Sequence, residues 1–201
     1  MTLYIKTLIW LRKIILWISF IVGAVILLGY DYYPTLLSES TEMWLWKINS
    51  IAIFLVMIVR PLADLLPKLK WLRALVPMRK ELGILSAMIV LGFGLAKYNF
   101  WGWEYFVQTY FSLSYWKFPE PAAFGHLGEL VAVPLLLTSN LYSQRKLKKH
   151  WKTIQRLAYV YFFAGGYYVL VTFNATEELW FMAIVAVLTV AAWAKKKFKL
   201  Y

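Results

Sequence analysis

The chain has 201 residues, of which 62% are hydrophobic and 16% charged, whereas soluble domains run at roughly half apolar and a quarter charged. It has no cysteine and two histidines, which excludes disulfides, iron–sulfur clusters and thiolate metal sites and leaves little for imidazole ligation. Its net charge of +12 is carried between long apolar runs, not in an aromatic-interleaved groove, so it reads as a cationic membrane face and not as a nucleic-acid surface.

A membrane-spanning helix needs roughly 17–25 mainly apolar residues, because it rises about 1.5 Å per residue across about 30 Å of hydrocarbon. Six stretches satisfy this: Ile9–Tyr30, Trp44–Leu66, Leu82–Trp101, Phe124–Tyr142, Leu157–Phe173 and Leu179–Ala194. Within and before the first of these, Lys6, Arg12 and Lys13 precede an apolar run from Ile14 to Leu28 and no small-x-small cleavage pattern follows it, so it reads as an uncleaved signal anchor. The aromatic stretch from Trp103 to Trp116 reads as an interfacial helix between the third and fourth spans. Tryptophans near the expected span ends, among them Trp44, Trp46, Trp101, Trp151 and Trp180, read as interface anchors.

Charge orders these spans. Three Lys or Arg lie before the first span, five between the second and third (Lys68, Lys70, Arg73, Arg79, Lys80), six between the fourth and fifth (from Arg145 to Arg156) and four after the sixth (Lys195, Lys196, Lys197, Lys199). That places 18 of the 22 basic residues on alternate connections. The other connections carry Asp31, Glu39, Glu42, Glu104, Glu120, Glu177 and Glu178. Because basic connections stay in the cytoplasm, the expectation is an all-α, six-helix membrane bundle. Both termini are cytoplasmic, residues 1–201 form one transmembrane domain, and the location is a bacterial-type inner membrane.

Two segments carry a family resemblance. The first runs Arg60-Pro61-Leu62 and then Met78-Arg79-Lys80-Glu81-Leu82-Gly83. The second runs Leu137-Thr138-Ser139 and then Trp151-Lys152-Thr153-Ile154-Gln155-Arg156-Leu157-Ala158-Tyr159. In order and spacing the chain resembles the ferric reductase-like transmembrane family over about residues 45–175. It is most similar to the small bacterial subunit that partners periplasmic methionine sulfoxide reductase. The resemblance implies b-type haem held by histidines on the third and fifth helices. The matching positions here are Phe93, ten residues after Gly83, then Gln155 and Tyr168, and none is a histidine. The resemblance therefore implies the fold without the haem ligands, and no cofactor is expected. The rings of the fifth span, together with Phe93 and Phe100, are candidates to fill the space that haem takes in relatives.

Polar groups inside spans are costly and are functional candidates by default. Glu129 lies in the fourth span, with His126 three residues earlier on the same face and Lys97 on the third span as a third member. A metal ion there would need Glu104 or Glu120 from the outer connection as further ligands, and no metal is expected. Arg60 and Asp64 read as an interfacial pair, and His150 as a solvated residue among lysines. The expected partners are the lipid bilayer and a periplasmic or membrane redox protein.

The leading expectation for function is a haem-less interaction or assembly subunit of a membrane redox system. Two alternatives stand beside it. One is an electron-transfer subunit running from quinone or flavin to a periplasmic acceptor through other ligands. The other is a small proton-linked transporter using Glu129.

Overall fold

A computed structural model describes residues 2–31, 38–117 and 119–198, so the Lys199 assigned to the basic C-terminal segment lies outside the described residues. Among the described residues every regular element is helical. The helices are α1 (Thr2–Asp31), α2 (Glu39–Leu65), α3 (Lys70–Leu75), α4 (Arg79–Phe111), α5 (Pro121–Leu137), α6 (Leu141–Leu147), α7 (Lys149–Gln155), α8 (Leu157–Phe173) and α9 (Glu177–Lys197). Short 3-10 turns follow α3 and α4.

The local chemistry sets these boundaries. Ser38 caps α2 by accepting from the Thr41 amide, and Asn140 caps α6 by accepting from the Ser143 amide at 2.7 Å. Pro121 opens α5, where its missing N–H costs nothing. Asn174, at φ 52°, ends α8 in the left-handed conformation that asparagine tolerates. Helix α9 has Glu177 and Glu178 in its first turn and three lysines in its last, complementing the helix dipole at both ends.

Three helical segments are long and apolar enough to cross a bilayer: Tyr4–Gly29, Ser40–Leu65 and Glu177–Lys197. Two more candidates are bent. Lys70–Lys97 turns by 97° into Asn99–Phe111, and Pro121–Leu137 turns by 90° into Leu141–Leu147. Helix α8, at 17 residues, rises about 25 Å and sits at the lower limit for a span. The expected fourth span, Phe124–Tyr142, is thus shorter than the apolar run suggests. The Thr138 hydroxyl donates to the Pro134 carbonyl at 2.7 Å and the Ser139 hydroxyl to the Leu135 carbonyl at 2.6 Å, closing the last turn of α5. Leu141 and Tyr142 belong to the next helix.

Helices α2, α4, α5, α8 and α9 close into a ring in which α4 touches α5, α5 touches α8, α8 touches α9, and α9 returns to α2 beside α4. Helix α1 packs outside this ring against α4. The main core, built on Ile53, Met57, Val90, Ala132, Phe162 and Val185, fills the ring. A second core of Ile26, Ala52, Leu85, Ile89 and Phe93 joins α1 to it. Small residues set the approach of α1 and α9. A methyl group on Gly23 would sit 2.6 Å from the Met88 Cε, and one on Gly166 would sit 3.1 Å from the Met182 sulfur. Met88 is therefore a packing residue under α1.

The periphery stays apolar. Trp10, Trp17, Phe20, Ile21, Trp180 and Val187 are all more than half exposed, a surface suited to lipid and not to water. Trp46 and Trp151 depart from the expected anchors: both are partly buried, and Trp46 stacks on Phe93 with ring centroids 5.0 Å apart.

Candidate functional site

The interior holds a cavity of about 160 Å³ between α2, α4, α5, α8 and α9, with polar and charged groups set in a mainly apolar wall. Glu129 and Lys97 both line it, and Lys97 is close enough for its charge to act on the carboxylate. The His126 Nδ1 lies 3.4 Å from the Glu129 Oε2, so the three candidates from the sequence come together. The pairing follows from α5 being helical at 126–129, which stacks residues three apart on one face.

Two further members had no clear signal in the sequence. The Tyr110 hydroxyl donates to the Glu129 Oε2 at 2.8 Å, a contact across 19 residues. It is possible only because α4 bends. Gly102 has φ 83° and ψ 173°, a conformation essentially closed to residues with a Cβ. The segment that contains it, Asn99–Phe111, is bent by 97° from Lys70–Lys97, so that Tyr105 lines the cavity and Tyr110 meets α5. The second addition is Glu178, which reads as an outer-loop acid in the sequence. It is only 3% exposed, lines the same cavity, and takes a hydrogen bond from Ser50. Gly166 on α8 leaves it room, since a methyl group there would sit 3.6 Å from its Oε2.

Below these carboxylates lies a neutral network. The Ser86 hydroxyl donates to the Asn49 Oδ1 at 2.6 Å and lies 2.8 Å from the Tyr161 hydroxyl, with all three residues buried. It ties α2, α4 and α8 together, and each member satisfies the others' polar groups, as burial requires.

Among the described residues there is no group of three or more His, Asp or Glu side chains placed to hold a metal ion. Nor do the haem positions implied by the resemblance supply donors. Phe93 has no lone pair, is 1% exposed, and is covered by Trp46 on the side of the cavity that Trp46 lines. Tyr168 lines the cavity with its ring packed on Gly125 and set edge-on to Phe173. The Gln155 Nε2 donates to the Thr138 Oγ1 at 3.1 Å, at the other end of α8. His126 and His150 cannot share an iron. The stretch of α5 from His126 to its end rises about 16 Å, and His150 is exposed on α7 beyond that end. These residues do not fit haem.

The motif residues behind the resemblance have structural work at the basic end instead. The Trp151 Nε1 donates to the Thr138 carbonyl at 3.0 Å beside the Gln155 contact, clamping α7 and α8 onto the end of α5. Pro61 opens the last turns of α2, and the Arg79 Nε donates to the Val56 carbonyl at 2.6 Å. No family model, curated protein or solved structure matches the chain.

Proposed function

We propose that this protein is a haem-less membrane subunit of ferric reductase-like build, serving a membrane redox system as an interaction or assembly component. Its six helices cross a bacterial-type inner membrane with both termini in the cytoplasm. The observation that carries this reading is Phe93. At a position where the resemblance implies an iron ligand, the chain buries a phenyl ring and stacks it on Trp46. The ring string continues from Trp46 to Phe173 and from Phe173 to Tyr168, with centroids 6.5 and 6.0 Å apart. Aromatic packing thus occupies the space between two of the former ligand positions, where an open void would lose contacts on every wall.

The test is an absorption spectrum of the purified protein expressed with excess haem. No b-type Soret band is expected. A gain-of-function series then separates fold from ligand supply. Phe93→His with Tyr168→His leaves Trp46 in the way and should stay colourless, whereas adding Trp46→Ala should permit a Soret band. A stoichiometric b-type spectrum from the unmodified chain would overturn the reading.

A second reading is favoured by one observation. The carboxylate cavity and a larger cavity at the basic end share two lining residues, Ile53 and Tyr161. Ile53 and Tyr161, the latter held by Asn49 and Ser86, thus stand between a compartment with carboxylates and a basic one. That arrangement suits proton-linked transport with Glu129 as the titrating group. Proton flux in vesicles, with and without Glu129, distinguishes it.

A further inference from the structure

The cavity at the basic end measures about 660 Å³ and is lined by Arg12, Arg60, Arg79, Lys80, Lys152 and Arg156, with no carboxylate on its wall. Two of the six cations are balanced nearby. Arg12 pairs with Glu81 at 2.8 Å, and Arg60 faces Asp64 at 3.9 Å. Arg79, Lys80, Lys152 and Arg156 have no ion-pair partner within 4 Å among the described residues. Arg79 is the most telling. It is partly buried, and its Nε is held by the Val56 carbonyl at 2.6 Å, which fixes the guanidinium in place. A partly desolvated cation held rigid with no ion-pair partner, and only the more distant charge of Asp64 acting on it, is costly. Four unbalanced cations round one space also repel each other. An anion in the cavity would relieve both costs.

The rest of the wall says what kind of anion. Beyond the charges, Ser139, Asn140, Gln144 and Gln155 add polar groups near the connections, while Ile53, Val56, Ala87, Ala132, Leu135 and Ala158 form an apolar part on α2, α4, α5 and α8. A free inorganic anion would leave that part unfilled. A molecule with a phosphate head and a hydrocarbon tail would fill both. Arginine's planar fork matches phosphate oxygens, and the supply of four unpaired cations favours a head bearing more than one negative charge.

From this geometry we infer that the basic-end cavity is a binding site for an anionic phospholipid of the surrounding leaflet. The phosphate sits among Arg79, Lys80, Lys152 and Arg156, and an acyl chain lies toward Ile53 and Ala132. The inference does not depend on whether the protein binds haem.

The test uses the full chain, purified in detergent and stripped of lipid, and titrated with phosphatidate, with phosphatidylcholine of the same chains, and with inorganic phosphate. Binding is read by native mass spectrometry and by thermal stabilisation. One phosphatidate is expected to bind in preference to phosphatidylcholine. Inorganic phosphate is expected to give little stabilisation. Lys152→Glu with Arg156→Glu changes two exposed side chains and should weaken phosphatidate by about tenfold or more, given roughly 1 kcal/mol per charge near a membrane surface. Arg79→Gln should weaken it similarly. Equal binding of the two lipids, or equal stabilisation by inorganic phosphate, would overturn the proposal. So would unchanged affinity in both variants.

Discussion

At the scale of single residues, Glu129 concentrates the polar chemistry of the bundle. Its side chain is 12% exposed, and it collects Tyr110, His126 and the charge of Lys97. Glu129→Gln keeps the shape and an oxygen to accept from Tyr110 while removing the charge. The residue's stabilising contacts are then partly retained, so the variant should fold with a loss of roughly 1–3 kcal/mol, the usual cost of weakening one buried charge-assisted contact. Thermal unfolding in detergent measures that. If Glu129 only holds α5 against the arm of α4, proton flux in vesicles should be as low in the parent as in the variant. A parent flux that disappears in a folded Glu129→Gln protein would instead favour the transport reading. The Glu129–His126 pair was legible in the sequence because helical spacing alone places residues three apart together. Tyr110 and Glu178 were not. Tyr110 reaches the site through the 97° bend of α4. Glu178 sits next to Glu177 at a helix start, and nothing in the sequence says which of the two turns inward.

At the scale of elements, hydropathy located the helices but not their bends. The run from Leu82 to Trp101 reads as one span, yet the helix continues to Phe111 after turning by 97°. The apolar count is blind to the turn because Trp101, Trp103 and Phe106 are as hydrophobic as the span they follow. The sign available was Gly102 between two tryptophans, and one glycine in an aromatic run does not announce a positive φ. The bend makes a direct prediction. Gly102→Ala places a Cβ in a backbone conformation that costs about 1–3 kcal/mol for any residue but glycine. No neighbouring atom lies within 4 Å of the added methyl group, so the cost is conformational and not steric crowding. The variant should lose stability by about that amount and should loosen the Tyr110–Glu129 contact. Accelerated amide exchange across 99–111, with α8 and α9 unchanged, would report it. Equal protection in parent and variant would mean that the arm is held by other contacts. The end of α5 carries the same lesson. Leu-Thr-Ser reads as a motif in the sequence, and its hydroxyls turn out to close the helix five residues before the apolar run ends.

At the scale of the whole molecule, alternating charge foretold which helix ends lie together. The Arg12 Nη2 reaches Glu81 at the start of α4, the Lys195 Nζ donates to the Leu65 carbonyl at the end of α2, and Gln155 meets Thr138. Four segments separated by long apolar runs therefore meet at one end of the bundle, as their shared charge predicts. At the opposite end, the Tyr167 hydroxyl on α8 donates to the Pro119 carbonyl just before α5. Helices α5 and α8 are thus antiparallel neighbours tied at both ends. Whatever fraction of the bilayer α5 crosses, α8 crosses too, despite its 17 residues. On the proposed six-helix reading, crossings come in pairs and the two chain ends fall on one side. On that reading the positive-inside rule would put this side in the cytoplasm, because the inverse arrangement would translocate 18 of the 22 basic residues. A reporter active only in the cytoplasm should be active when fused after Tyr201 and silent when inserted near Glu177. Activity near Glu177 with silence at the C-terminus would invert the molecule and place the basic cavity outside. Activity at both sites would mean that α9 does not cross, which would contradict its 21 residues and its basic last turn anchored on Leu65.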